Sequence, residues 1–598
     1  MNEPIADEMQ QRLARLAGPF FISIAVNDWS PELQHALRLL GIPWHKTIPR
    51  DGLCSAKLGV GPGAAFDGAL STEVPEGEEG YGVSPGPDGS LVIQAHTEHG
   101  LANGLYNLRR SLLSATSGIN LRPADLLPAG PSSPAFAQRD TYQYLSPWRL
   151  PRLSCDALTV PEWKTHLERM RALNVRRWYF DIWTDQYFHP DVQETHSNQP
   201  LYERMKIVSN YAHELGLRTG VYLFPAQIPV AVYLAIPNAH AVEATNYHGI
   251  NGCLSKAWNE VIRIDTFLIS YFGESLDDIV VEMQDPGSCL CPECCRNFPD
   301  IVLRILRAYR EIPHAGRKIS LCTLHFRDWL EEPGDKPTGV SLAVPQLRAR
   351  VFDALPPETT IVDIDDPTLD MGAARGFRRN YFFFDLDPES GLENQQVFPR
   401  VKLRRIETQV RSSRALGHDG LTDYRMMPFT QYVADYVLFR KLWDPEAPLD
   451  TILTDLAAEL GIANSDRPVF VKALRNIDAW WEDQNLAALR DAATSLETLS
   501  RGTAGTALKD LCDTISVLAL LGEYLMSHPE RVRADDFYPP ADLVSSVRTR
   551  MLASRIFEAY TVHQHWILRS QETIGQRIRW WLKGIDCELR RVSPPGAV

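Results

Sequence analysis

Asp278-Ile-Val-Val-Glu-Met-Gln284 decides how the chain is read. Its middle is apolar and β-branched and its end is polar. Cys295–Ile312 follows it, with apolar residues at helical spacing. A buried strand running into a helix is the repeating unit of a parallel sheet. The same unit recurs on both sides of this stretch. Strands are expected at Arg139–Leu145, Val175–Trp183, Arg218–Phe224, Asp278–Gln284, Lys318–His325, Thr360–Asp365, Tyr381–Asp387 and Gly420–Arg425. Helices are expected at Pro161–Leu173, Leu201–Leu215, Cys295–Ile312 and Leu403–Leu416, while the sixth strand is followed only by a short one, Leu369–Gly376. Eight such units match a (β/α)8 barrel, an α/β fold of the TIM type. The competing arrangement is a doubly wound open sheet. It would be favoured by a Gly-rich phosphate loop after the first strand, and none is present.

The flanks differ in character. Residues 1–134 mix short strands and helices: Ser90–Thr97 reads as a strand, Glu98–Leu113 as a helix, and Leu127–Pro134 as a linker by its Pro, Gly and Ser content. Residues 135–445 hold the barrel. Residues 446–598 are strand-poor and rich in Leu, Ala, Arg and Glu, as a helical bundle requires. A chain of 598 residues exceeds one domain, and 44% hydrophobic with 23% charged residues is globular composition. The net charge of -14 and the lack of a basic run argue against nucleic-acid and anionic-membrane partners. The amino terminus is acidic and amphipathic, so no signal peptide is expected, and no apolar run is long enough for a membrane span. Ten cysteines are too few for a disulfide scaffold, and a cytoplasmic location is expected.

Barrel chemistry sits where the strands end, and only every second side chain of a strand points inward. Counting back from the strand ends gives Tyr142 and Tyr144 on strand one and Tyr179, Asp181 and Trp183 on strand two. Strand four offers Glu282 and Gln284, and strand five Thr323 and His325. Strand six offers Asp363 and Asp365, strand seven Asp385 and Asp387, and strand eight Asp423 and Arg425. Carboxylates are costly on buried strands. A single acid at a strand end is commonly a helix cap, but acids ending five strands together describe an acid-lined bowl. Trp148, Trp178, Trp183, Tyr187, Trp258 and Tyr424 are candidate walls, with core packing as the plainer reading of each. Such a bowl suits a sugar, whose hydroxyls need acceptors and whose ring faces stack on aromatics. The candidate substrate-binding set is Tyr142, Tyr144, Trp148, Asp181, Trp183, His325, Asp363, Asp423, Tyr424 and Arg425.

Several stretches carry a resemblance. Gly80-Tyr-Gly-Val, Leu91-Val-Ile-Gln-Ala-His and Gly100-Leu-Ala-Asn-Gly-Leu-Tyr-Asn-Leu resemble the small α/β domain that precedes the barrel in α-glucuronidases and β-hexosaminidases. Tyr432-Val-Ala-Asp-Tyr-Val-Leu-Phe-Arg-Lys-Leu-Trp-Asp-Pro445 resembles the last barrel helix and exit of the same enzymes. The order of small domain, barrel and bundle is similar to that of glycoside hydrolase family 67. The resemblance implies Glu282 as general acid, and Asp365 with Asp385 or Asp387 as base. It does not fix the sugar, because strand one, Arg139-Asp-Thr-Tyr-Gln-Tyr-Leu-Ser-Pro-Trp148, departs from the α-glucuronidase pattern. Hexosaminidases that use the substrate's acetamido group carry adjacent acids after strand four, whereas Glu282 and Asp285 are separated here.

Asp285-Pro-Gly-Ser-Cys-Leu-Cys-Pro-Glu-Cys-Cys295 is the most unusual local segment. Cys289, Cys291, Cys294 and Cys295 are candidate ligands of a structural zinc, with Cys253 as a further one. Thiols packing a loop, or a disulfide, are the alternatives. No cofactor is expected in catalysis, because the His-x-His of metal-dependent barrel hydrolases is absent near the end of strand one. His189 and His213 are scattered, and His325 is placed to hydrogen-bond a hydroxyl.

The expected function is an exo-acting glycoside hydrolase with a carbohydrate substrate. A substrate-assisted β-N-acetylhexosaminidase and a barrel that binds carbohydrate or a partner without turnover are the alternatives. Trp480-Trp481 and Trp580-Trp581 are read as bundle core or as the contact of a homodimer formed through the helical domain.

Overall fold

The computed structural model describes residues 20–26, 29–47, 54–60, 73–86, 88–115, 122–145, 155–183, 186–226, 236, 253–283, 292–313, 317–324, 344–364, 366–383, 397–425, 427–502, 506–554 and 574–592. Six strands come first: β1 (Phe20–Ala25), β2 (Trp44–Thr47), β3 (Cys54–Val60), β4 (Tyr81–Pro85), β5 (Leu91–Ala95) and β6 (Gly130–Ser132). They form one sheet in the order β2-β1-β3-β5-β4-β6. Helices α1 (Pro31–Leu40) and α2 (Glu98–Ser114) accompany it. Ser30 caps α1 and Thr97 caps α2, each by accepting a backbone N–H with its hydroxyl. The close fit of α2 to the sheet explains Gly104. A Cβ there would lie 2.6 Å from Ile93 and 3.3 Å from the Tyr81 ring.

The next eight strands close into a barrel in sequence order, every neighbouring pair parallel: β7 (Gln138–Gln143), β8 (Arg177–Asp181), β9 (Arg218–Leu223), β10 (Asp278–Glu282), β11 (Lys318–Cys322), β12 (Thr360–Asp363), β13 (Arg378–Phe383) and β14 (Gly420–Arg425). Between and after them run α3 (Val160–Ala172), α4 (Gln199–Glu214), α5 (Leu254–Phe272), α6 (Pro292–Arg310), α7 (Val344–Asp353), α8 (Asp366–Ala373), α9 (Leu403–Ala415) and α10 (Tyr432–Trp443). The eight expected strands are all present, so the closed barrel replaces the open-sheet alternative. The main shift is in the seventh strand, which begins at Arg378, before the expected Tyr381, and is described to Phe383.

The barrel interior is polar in its lower layers. Asp140 and Asp278 flank Arg177, and the Asn380 side-chain amide donates to Asp140 and to the Thr422 hydroxyl, each at 2.8 Å. The strands' aliphatic residues, such as Ile279, Val281, Leu321, Ile361 and Leu421, take the opposite phase and are fully buried. A strand in this barrel therefore turns its apolar side to the helices and its polar side to the axis.

Among the described residues seven helices follow: α11 (Leu449–Glu459), α12 (Arg467–Asp483), α13 (Leu486–Gly502), α14 (Thr506–Ser527), α15 (Pro529–Arg533), α16 (Ala541–Leu552) and α17 (Ile574–Val592). Trp480, Trp481 and Trp581 are fully buried and share one core cluster with the barrel, whereas Trp580 is 38% exposed. The first sheet has a separate core that draws in Trp443 of α10 and Ala458 of α11. Among the described residues no helix is long and apolar enough to cross a membrane.

Candidate active site

Strand register fixes which candidates meet. Glu282 pairs with Cys322, Cys322 with Val362, and Val362 with Asn380. Asn380 reaches Asp140 inside the barrel, so this whole row faces the axis. A second row runs from Asp181 through Tyr222 to Val280, and Tyr142 lies beside Tyr424. The inward phase at the carboxyl ends therefore holds Tyr142, Tyr144, Asp181, Tyr222, Glu282, Cys322 and Tyr424.

Asp181 organises one wall. Tyr142 Oη and Trp183 Nε1 each donate to its Oδ2 at 2.6 Å, and the Leu145 backbone N–H donates to its Oδ1 at 2.6 Å. Burial pushes its pKa up to about 7 against these three donors, and the neighbouring Glu282 charge adds to the rise. Aromatic rings pack around this carboxylate. Tyr142 stacks on Tyr222 with centroids 4.0 Å apart, Trp183 stacks on Phe224 at 4.6 Å, and Tyr144 meets Trp183 edge-on at 5.1 Å and Tyr424 at 5.5 Å.

Glu282 ends β10, two strands round the barrel from Asp181, and keeps 5% of its surface exposed. The Cys322 thiol hydrogen-bonds its carboxylate. Burial, and then the Glu282 charge, hold that thiol well above its usual range. Burial likewise raises the Tyr142 and Tyr222 hydroxyls, with Glu282 contributing to both. The Tyr222 hydroxyl is buried and, among the described residues, has no hydrogen-bond partner. The result is a carboxyl group with a little exposed surface, a second carboxyl within electrostatic reach, and the stacked Tyr142 and Tyr222 rings beside them.

Three strands read from the sequence in the opposite phase are corrected by the register. Thr323 and Asp363 share the outward phase, where the Thr323 hydroxyl donates to the Asp363 carboxylate. Asp423 and Arg425 also face outward. Arg425 is fully buried, pairs with Asp423 at 2.9 Å, and pairs again with Asp435 on α10. Its guanidinium joins β14 to a barrel helix rather than lining the bowl. Of the other candidates, Trp148, His325, Asp365, Asp385, Asp387, Cys289 and Cys291 lie outside the described residues, as does the Cys295 side chain. Trp178 is fully buried against Trp163 and Phe180, and Tyr187 is buried too, so both belong to the core. Arg304 covers the Trp258 ring.

Tyr222, Cys322 and Phe382 were not candidates from sequence. Strand three carries no acid, so nothing drew attention to its inward set of Arg218, Gly220, Tyr222 and Phe224. Counting strand five through its polar members, Lys318, Ser320 and Cys322, would have found Cys322.

No family model matches the sequence, and no curated protein matches it. Solved structures do match in shape. A GH138 enzyme targeting pectin rhamnogalacturonan II superposes with a TM-score of 0.53 at 8% identity, over 90% of this chain and 73% of that one. A family GH115 4-O-methyl-α-glucuronidase with specificity for decorated arabinogalactans superposes with a TM-score of 0.55 at 10% identity, over 94% and 79%. At such identities the likeness is one of fold, and its coverage runs from the first sheet into the helical region.

Proposed function

We propose that the chain is an exo-acting glycoside hydrolase with Glu282 as general acid. The observation that carries this reading is the setting of Glu282. It is an inward-facing, slightly exposed carboxyl at the carboxyl end of β10, two strands from Asp181 and its cluster of Tyr and Trp rings. Barrel enzymes place their chemistry at this face. That both solved neighbours are named for carbohydrate substrates supports the same class.

Cleavage of a glycosidic bond needs a protonated carboxyl to donate to the leaving oxygen. It also needs an ionised carboxylate to activate water or to attack the anomeric carbon. Coulomb repulsion between Glu282 and Asp181 is mutual, so their both being charged at once is disfavoured. Asp181 accepts three donors already, which suits it to hold Tyr142 and Trp183 in place rather than to react. The resemblance to family 67 assigns the second role to Asp365 with Asp385 or Asp387, the acids that follow β12 and β13. Tyr144 and Tyr424, which keep 3% and 5% of their surfaces exposed, are the faces offered to a pyranose ring, while buried Trp183 holds Asp181.

The test is a panel of aryl glycosides, with α-glucuronides and β-N-acetylglucosaminides among them, incubated with the purified protein. Release of the aglycone from at least one terminal sugar is expected. Binding of sugars that stabilises the fold, with no product from any member, would favour the non-catalytic barrel instead.

A further inference from the structure

We propose that the amino-terminal mouth of the barrel binds a small inorganic oxyanion, such as phosphate, through Arg218, Lys318, Arg378 and Gln138. These residues begin β9, β11, β13 and β7, at the opposite end of the barrel from Glu282. Each has the phase of a side chain that faces the axis. Gln138 shares the phase of Asp140, Arg218 that of Tyr222, Lys318 that of Cys322, and Arg378 that of Asn380. Alternate strands of a (β/α)8 barrel share a layer of inward side chains. The register puts Gln138, Arg218, Lys318 and Arg378 in the lowest layer, and Arg177, Asp278, Thr360 and Gly420 in the one above.

The lowest layer therefore holds three cations and no carboxylate. Acids higher in the barrel answer only part of that charge. Asp278 lies 3.5 Å from both Arg177 and Arg218, and Asp140 lies 3.5 Å from Arg177. Charge-assisted hydrogen bonds are shorter, at about 2.8 Å. Asp277, just before β10, is already engaged by His213 and the Thr219 backbone N–H, each at 2.8 Å. Around the axis, then, Arg177, Arg218, Lys318 and Arg378 face only Asp140 and Asp278. Burial, followed by Arg218, Arg177 and Arg378, holds the Lys318 pKa below the ordinary lysine value, against the pull of Asp278.

A second observation points to a ligand. Gln138 is 1% exposed, and among the described residues neither end of its side-chain amide has a hydrogen-bond partner. The same holds for Nε of Arg177 and of Arg218. Buried polar groups left unpaired are costly. Arg and Lys side chains only donate, so a partner shared by this layer must accept and carry negative charge. A tetrahedral oxyanion presents acceptors in several directions and matches the guanidinium fork. Arg378 is exposed, and Arg218 and Lys318 are half-buried, so the layer is open to solvent. The ligand is small, because Arg177 and Asp278 close the axis above it.

The site does not rest on the glycosidase reading, since binding is measured without a sugar. The experiment titrates inorganic phosphate into the full-length protein, dialysed free of phosphate and sulfate, with ionic strength fixed by chloride. Calorimetry should show saturable binding with a Kd of about 1 mM or tighter, and sulfate should compete. The melting temperature should rise with phosphate beyond any rise in matched chloride. Arg378→Gln and Lys318→Met should each weaken binding about tenfold or more. Arg350→Gln, on α7 and paired with Asp300, should leave it unchanged. Arg378 is exposed, so its variant decides the matter even if Lys318→Met fails to fold. Stabilisation no greater than that given by chloride would overturn the proposal. So would phosphate binding to Arg378→Gln as tight as to the parent.

Discussion

At the scale of single residues, Asp181 carries the clearest pH signature. Its folded pKa of about 7 lies above the ordinary aspartate value of 3.8, chiefly through burial. The folded protein therefore keeps a proton that the unfolded chain releases, and stability falls as pH rises from about 4 to about 7. We expect the Trp183 indole N–H resonance, assigned by its loss in Trp183→Phe, to titrate with a midpoint near pH 7, because that N–H donates to Asp181. Tyr142→Phe deletes one of the three donors and should move the midpoint upward. A midpoint near pH 4 in both proteins would mean that burial does not dominate. Glu282 was legible from the sequence because acids end five strands together, more than helix capping alone explains. Tyr222 was not, since a tyrosine on a buried strand is as well explained by packing.

At the scale of elements, the strands were easy to locate and their faces were harder to assign. Apolar runs bounded by polar residues mark a strand without saying which side faces the axis. An acid at a strand end is expected to point into the mouth. That holds on β8 and β10 and fails on β12 and β14, where Asp363 and Asp423 find partners toward the helices. The polar lower layers around Arg177, Asp140 and Asp278 were the missing signal, since they show that this barrel turns polar side chains inward. The turn from α4 into β9 offers a local test. Gly216 adopts φ of +76°, and a Cβ there would overlap the Glu32 carboxylate from α1. Gly216→Ala should destabilise the protein by about 2 kcal/mol, from backbone strain and from displacing that carboxylate. An unchanged denaturant midpoint would contradict this account of the turn.

At the scale of the whole molecule, the first sheet is locked to the barrel by buried charge. Arg171 of α3 pairs with Glu32 of α1, donates to Asn103 of α2 at 2.8 Å, and also reaches the Leu215 carbonyl. His99 adds a second partner to Glu32 at 2.9 Å. Burial alone would raise the Glu32 pKa, but Arg171 and His99 outweigh it and hold it near 2. A depressed folded pKa stabilises above the unfolded value of 4.5 and is lost as pH falls from there toward 2. Glu32→Gln should therefore cost a few kcal/mol at pH 7 and flatten the acid limb of the stability curve, read by urea melts between pH 2 and pH 6. The order of sheet, barrel and helical region was legible from composition and periodicity. The docking charges were not, because Glu32 and Arg171 are far apart in sequence and meet only in the fold. The central claim concerns Glu282 as the proton donor to the leaving group, and the most direct measurement is the leaving-group dependence of Glu282→Gln on the best aryl glycoside. Activated aglycones need little protonation and unactivated ones need much. We predict a loss of about 100- to 10,000-fold on poor leaving groups, and a far smaller loss on strongly acidic phenols. An equal loss on both series, or parental rates throughout, would contradict the assignment.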